Sequence, residues 1–225
     1  EVAEDNVGIM KRVYQEGHEI GNHTFTHPDI SDISNAQVDL QLNLTERLFA
    51  SKLGVQPLYF RPPYSIDQEP DTNDQAAPVD RIQHMGYVIL GNKIDTNDWD
   101  EHPRKSPQEI IDSVFQQIAD MNVRTWTKGS VILMHDGGGD RSATVAALPP
   151  LIEALRAHGY KIVTVAQLLG KTRAEVMPPL TPHQRWQARA DSITFFFVGF
   201  FNNFVVGVFF VGDVVMSARL IILGI

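Results

Sequence analysis

The sequence predicts an α/β fold built on a parallel sheet, and two patterns carry that prediction. Segments with an apolar helical stripe alternate with short apolar runs along most of the chain, as in repeated β-α units. At three places a helical pattern ends in glycine, followed by His or Tyr and then by an apolar run: Gly17-His18, Gly86-Tyr87 and Gly159-Tyr160. Right-handed crossovers between parallel strands produce either a barrel or an open, doubly wound sheet. The pattern leaves that choice open.

Helices and strands alternate through the first half of the chain. Apolar residues at helical spacing predict helices over residues 6–16 and 35–52, with a short helix through Ile82 and Met85. Short apolar runs predict strands around Ile20 and over residues 58–60 and 87–90. Between them, residues 65–79 are rich in Asp, Pro, Asn and Gln, which predicts a long loop.

The second half continues the alternation. Ser106-Pro107-Gln108-Glu109 has the residues of a helix start, because serine caps, proline fits the first turn and glutamate completes a capping box. Residues 131–134 form a continuous apolar run, typical of a strand buried on both faces of a parallel sheet. A helix through Leu148 and Leu155, then a last strand over residues 161–165, complete the pattern.

Composition narrows the class of protein. The chain has 225 residues, of which 43% are hydrophobic, so it can bury one good core and gives no grounds for a second full domain. Its net charge of −8 and the lack of a basic cluster disfavour a nucleic-acid partner. Without cysteine there is no disulfide and no thiolate ligand, so any metal would be held by histidine and carboxylate.

Polar clusters follow four of the predicted strands: His23 and His27, Arg61 to Tyr64, Asp95 to Trp99, and His135 with Asp136. Parallel α/β folds place their chemistry where strands end, so we expect these clusters to form one site. The spacing of His23 and His27 puts both imidazoles on one face, and imidazole suits zinc, but a third ligand must come from elsewhere. Each cluster alone also fits a structural role in a loop, and Gly137 to Gly139 lack the lysine and spacing of a phosphate-binding loop.

Taken together, the four clusters resemble the motifs of the polysaccharide deacetylase family, the carbohydrate esterases with the nodulation-type deacetylase domain. His23-Thr24-Phe25-Thr26-His27 matches H-[ST]-x-x-H, and Arg61-Pro62-Pro63-Tyr64 matches R-x-P-Y. Asp95-Thr96-Asn97-Asp98-Trp99 matches D-x-x-D-W, and Leu133-Met134-His135 matches L-x-H. The resemblance implies a distorted (β/α) barrel that hydrolyses N-acetyl groups of an N-acetylglucosamine-containing polysaccharide to acetate and a free amino sugar.

The resemblance also implies roles for the matching residues. His23 and His27 would bind a divalent metal, usually Zn²⁺, together with an aspartate. The implied catalytic residues are His135 as general acid, Asp98 as its orienting partner, Arg61 beside the carboxylate base and the backbone N–H of Tyr64 at the oxyanion. The implied substrate-binding residues are Trp99, Leu133 and Pro63.

One family motif has no counterpart. The first motif, Thr-Phe-Asp-Asp, supplies the base and the aspartate ligand in the family, and nothing in this sequence matches it. We therefore expect a barrel lacking its first strand, in a fragment that is weakly active by itself. The alternative is a non-catalytic glycan-binding or scaffolding segment attached to a membrane glycosyltransferase.

The end of the chain changes character. Residues 193–212 form an apolar run of about the 20 residues that cross a bilayer, although Asn202 and Asn203 interrupt it. We expect a deacetylase domain over residues 1–172, a linker over 173–192, and a membrane-spanning segment with the start of a downstream region over 193–225. This predicts a membrane-anchored protein. The resemblance to deacetylases of exported polysaccharide implies that the catalytic domain lies outside the cytoplasm, and some relatives that the chain resembles continue into a glycosyltransferase, so a fused or neighbouring glycosyltransferase is the implied partner. A buried C-terminal helix is the alternative.

Overall fold

The structure is a computed structural model that describes residues 6–65, 73–121 and 130–223. The helices are α1 Val7–Gln15, α2 Asn35–Leu53, α3 Asn73–His84, α4 Pro107–Asp120, α5 Ser142–Ala157, α6 Val165–Leu168, α7 Arg173–Val176 and α8 Pro182–Leu223. The strands are β1 Tyr59–Phe60, β2 Val88–Ile89, β3 Ile94–Asp95 and β4 Ile132–Leu133. A short 3₁₀ turn, Pro63–Ser65, follows β1.

The strands pair in parallel, as the alternating pattern predicts. β1 lies beside β2 with Tyr59 opposite Val88, and β3 lies beside β4 with Asp95 opposite Leu133. Asn22 adds a parallel bridge to Phe60 on the free edge of β1. The α/β class is therefore confirmed. Within the described residues the strands form two separate pairs, and a closed barrel stays a prediction.

Two apolar clusters support the strand ends. One packs α2 and α3 against β1, with Leu42, Phe60 and Ile82 fully buried. The other packs α4 and α5 against β3, around Ile94 and Val114. Because each strand is only two residues long, this packing and the loops, more than the ladders, fix where the strand ends lie.

Three predicted elements are corrected. The predicted strand over residues 161–165 is wrong, because Thr164 caps the helix α6 through the N–H of Gln167 and the residues before it form no strand. The run around Ile20 forms only the single bridge at Asn22. Of the predicted loop over residues 65–79, residues 66–72 lie outside the described ranges, and the chain is helical from Asn73 onward. The polar composition, with Pro78 inside the helix, gave no helical pattern in the sequence.

The region predicted as a linker is folded against the domain. Val176 and Met177 are buried, and the side chain of Gln184 donates a 2.7 Å hydrogen bond to Gln56. On α8, the Asp191 carboxylate forms a 2.6 Å ion pair with Arg47 of α2. Residues Pro182–Val211 of this helix are long and apolar enough to cross a membrane. The residues of its most apolar part are not buried inside the protein.

Candidate active site

His23 and His27 lie side by side on the loop that follows the Asn22 bridge. Their ring centroids are 4.8 Å apart with the planes at 77°, and the edge of Tyr64 contacts His27 at 4.9 Å between centroids. Nδ1 of His23 lies 2.8 Å from the carbonyl oxygen of Arg61, so Nδ1–H donates there. This tautomer leaves the Nε2 lone pair of His23 available to a ligand.

Four non-glycine residues around these motifs adopt left-handed backbone angles: Thr24 (φ 66°), His27 (φ 59°), Tyr64 (φ 59°) and Asn97 (φ 48°). Such conformations are uncommon outside glycine, above all for a β-branched residue such as threonine, and cost on the order of 1–3 kcal/mol each. They persist where surrounding contacts fix the backbone more strongly than its own preference does. The loops of this site are therefore held in shape from outside.

Two amides supply that support to the histidine loop. Asn22, only 2% exposed, accepts from the N–H of Thr24 at 3.0 Å and donates to the carbonyl of Leu42 at 3.0 Å. Gln41 of α2 accepts from the N–H groups of Phe25 and Thr26, both at 2.8 Å, and donates to the Thr26 hydroxyl. The sequence did not reveal either residue as part of the site, although Asn22 directly precedes His23.

The surroundings of His23 lower the pKa of its imidazole. His23 remains exposed, yet crowding by neighbouring atoms is the largest cause that lowers the pKa of its imidazole. The Arg61 carbonyl opposes this, while the charges of His27, Arg61 and His135 lower the pKa further. That these motifs form one site stays a prediction.

His135 and Asp98 form a hydrogen-bonded pair. Nδ1 of His135 lies 2.8 Å from Oδ1 of Asp98, and the His135 backbone N–H donates to Oδ2 at 2.9 Å. The Thr144 hydroxyl donates to the same Oδ2 at 2.8 Å. Burial alone raises the pKa of Asp98, but these hydrogen bonds, with one from Thr96, bring it below its ordinary value. An ionised Asp98 thus holds His135 with Nδ1 protonated and leaves Nε2 to exchange a proton.

The remaining predicted site residues differ in how far they are exposed. Tyr64 is 67% and Trp99 51% exposed, so both rings face solvent at the rim. Pro63 is buried and Leu133 is half-buried. The Arg61 guanidinium donates to the side chain of Asn92. Their catalytic and binding roles stay predictions.

His23 and His27 are the side chains that could bind a metal ion at this site. Within the described parts of the chain, no three His, Cys, Asp or Glu side chains group so as to hold an ion. The adjacent imidazoles of His23 and His27, one with its tautomer fixed by a carbonyl, fit two positions of a tetrahedral zinc site.

Comparison with known proteins points to one family. Residues 1–79 match the family model described as polysaccharide deacetylase. A curated relative, the peptidoglycan-N-acetylglucosamine deacetylase of Bacillus cereus, is 34% identical over 165 residues, which are 73% of this chain and 69% of the relative.

Two solved structures share the fold. A peptidoglycan N-acetylglucosamine deacetylase aligns with a TM-score of 0.63 and 28% identity over 76% of this chain and 72% of its own. The second is a mutant with restored enzymatic activity of a CE4 family pseudoenzyme. It aligns with a TM-score of 0.58 and 25% identity over 74% of this chain, which spans only 53% of it.

Proposed function

This chain belongs to the polysaccharide deacetylase family, and on that basis we propose that it hydrolyses N-acetyl groups of an N-acetylglucosamine-containing polysaccharide. The observation that carries the proposal is the geometry of two motif pairs: the imidazoles of His23 and His27 lie side by side, and His135 is hydrogen-bonded to Asp98. The similarity to named N-acetylglucosamine deacetylases supports the substrate class.

In this proposal His135 is the general acid. The Asp98 carboxylate holds Nδ1–H of His135, which aims Nε2 away from Asp98 and stabilises the charged imidazolium. When the tetrahedral intermediate collapses, the Nε2 proton passes to the departing sugar nitrogen and the C–N bond breaks. Loss of such an acid removes on the order of 10²–10⁴ of the rate.

His23 and His27 would hold a divalent metal, most simply Zn²⁺, through their Nε2 atoms. A bound metal would polarise the acetamide carbonyl and lower the pKa of its water. The lowered pKa of His23 favours the neutral imidazole that such binding needs. The backbone N–H of Tyr64, set by the left-handed turn, is the proposed donor to the oxyanion.

The exposed rings of Trp99 and Tyr64 suit the binding of a sugar chain. Both present apolar faces at the rim of the site, where sugars can stack. The less exposed Leu133 and Pro63 would contact the acetyl methyl group. The substrate would thus be held at the strand ends, beside His135.

A second function, glycan binding without turnover, is favoured by two observations. The sequence has no match to the Thr-Phe-Asp-Asp motif, so we assign no catalytic base in this chain. The fold is also similar to that of a CE4 family pseudoenzyme. We place this function second, and we expect weak activity from the chain by itself.

Acetate release from N-acetylated chito-oligosaccharide and peptidoglycan strands, with Zn²⁺ added, tests the proposal. We expect slow release that His135→Ala abolishes, whereas the exposed His84→Ala on α3 leaves it unchanged. Adding a strand that bears Thr-Phe-Asp-Asp should raise both the rate and the Zn²⁺ affinity. Glycan binding by calorimetry with no acetate release from either form would instead establish the second function.

A further inference from the structure

Arg141, the residue directly before α5, bridges the two loops that carry the Asp98–His135 pair. On the loop after β4, Nε donates to the carbonyl of Gly137 at 2.9 Å and Nη2 to that of Gly138 at 2.8 Å. On the loop after β3, Nη1 donates to the carbonyls of Asp98 at 3.0 Å and Trp99 at 3.3 Å. One guanidinium therefore makes four hydrogen bonds to the main chain of two loops.

The strands below cannot align these loops by themselves. β3 and β4 pair through only two residue positions, and the last cross-strand bonds, from the N–H and hydroxyl of Thr96 to the Leu133 carbonyl, stop before Asp98 and His135 are reached. The left-handed Asn97 lies in between, so the path from Asp95 to Asp98 is not regular. The 2.8 Å contact from His135 to Asp98 depends on something beyond the sheet that holds the two loops together.

The chemistry of arginine suits this task. Its guanidinium is planar, stays charged at all relevant pH values and has five N–H donors in fixed directions, so each bond to a carbonyl is charge-assisted. Lysine offers a flexible point charge and cannot reach both loops with the same geometry. The first turn of α5 also contributes Thr144, which donates to Asp98 Oδ2, so the start of one helix contacts both the carboxylate and the carbonyl of Asp98.

We infer that Arg141 is a positioning residue that sets the register of the Asp98–His135 pair and fixes the backbone of Trp99 at the rim. For its consequence in catalysis the inference rests on the proposed deacetylase function. For the geometry of the pair it does not.

The Nδ1–H proton of His135 tests the geometry without any substrate. Nuclear magnetic resonance of the ¹⁵N-labelled protein should show this proton protected from exchange in the unsubstituted chain. In Arg141→Gln we expect it to broaden or disappear, and in Arg141→Lys to be only partly retained. Arg156→Gln, at the other end of α5, is the matched control and should leave the signal unchanged. An undiminished signal in folded Arg141→Gln would overturn the inference.

Hydrogen exchange of the His135 backbone amide, which donates to Asp98 Oδ2, is the second measurement. Its exchange should accelerate about tenfold or more in Arg141→Lys if the loops lose register, while the amides of α4 exchange as before. This variant keeps the charge and serves if Arg141→Gln does not fold. Unchanged exchange of that amide in Arg141→Lys would count against the inference.

Turnover separates this inference from the proposed function. Where acetate release is measurable, Arg141→Gln should lower kcat by about tenfold or more with little change in KM, as expected for misalignment of an acid that acts in the transition state. If neither the unsubstituted chain nor the form with an added Thr-Phe-Asp-Asp strand releases acetate, the proposed function fails, and the two exchange measurements still decide the role of Arg141.

Discussion

The Asp98 side chain has no exposed surface, yet hydrogen bonds hold its pKa below the ordinary value of an aspartate. A folded-state pKa below the unfolded value adds stability above the unfolded pKa, and this is lost as pH falls through the folded pKa. We therefore predict that the free energy of unfolding decreases as pH is lowered below about 4, in part because of Asp98.

Denaturant unfolding of the unsubstituted chain and of Asp98→Asn, followed from pH 7 downward, checks this. The variant should lose part of the acid dependence and retain the remainder, because Asp39, Glu109, Asp140 and Glu175 also have lowered pKa values. The same acid dependence in both proteins would contradict the role given to Asp98.

Gln41 gives a second prediction at the scale of single residues. Gln41→Leu removes the acceptor for the Phe25 and Thr26 N–H groups, so these amides should exchange about tenfold faster. Gln41→Glu keeps a side-chain acceptor and should preserve most of the protection. Asn43→Leu, an exposed amide on the same helix, is the control, and an equal effect of Asn43→Leu would show that α2, not the loop, was disturbed.

These residues show how far the sequence reached into the site. His23, His27, Asp98 and His135 stand in linear patterns with fixed spacing, so the sequence could place them near one another. Asn22, Gln41, Arg141 and Thr144 act through bonds that exist only once loops and helices have packed. A glutamine in a helix has no local signature that distinguishes a loop support from a surface residue.

At the scale of elements, the start of α4 was predictable because its determinants are local. Ser106 accepts from the N–H of Glu109, and the Glu109 carboxylate accepts from the N–H of Ser106 at 2.7 Å, which completes the capping box. Ser106→Ala should lower the free energy of unfolding by about 1 kcal/mol. Ser142→Ala, an exposed serine in the first turn of α5 with no such cap, should stay within about 0.5 kcal/mol in the same denaturant experiment. Equal losses would contradict the cap.

Strands were harder to predict because their determinants are distant. The apolar run over residues 131–134 does contain β4, but Ile132 and Leu133 are half-buried where burial on both faces was expected. Ile162 and Val163 read as a strand and are 48% and 37% exposed in a coil before α6. A β-branched pair predicts a strand only when a partner strand lies beside it.

At the scale of the whole molecule, the apolar part of α8 predicts association with lipid. Phe197, Phe201 and Phe209 are more than half exposed, and such a surface is unfavourable in water. We predict that the chain floats with phosphatidylcholine vesicles in a density gradient, and that Phe197→Asp with Phe201→Asp reduces the floating fraction at least about fivefold. Gln187→Asp, on the polar first part of α8, should have no effect. Flotation unaffected by the double substitution would exclude α8 as the anchor.

The ion pair between Arg47 of α2 and Asp191 joins the domain to α8, and the helix runs on from Asp191 without a break to Leu223. The residues that contact the domain and the exposed apolar residues therefore belong to one unbroken helix. A membrane that held the apolar part of this helix would limit the distance and orientation of the exposed Tyr64 and Trp99 rings relative to its surface.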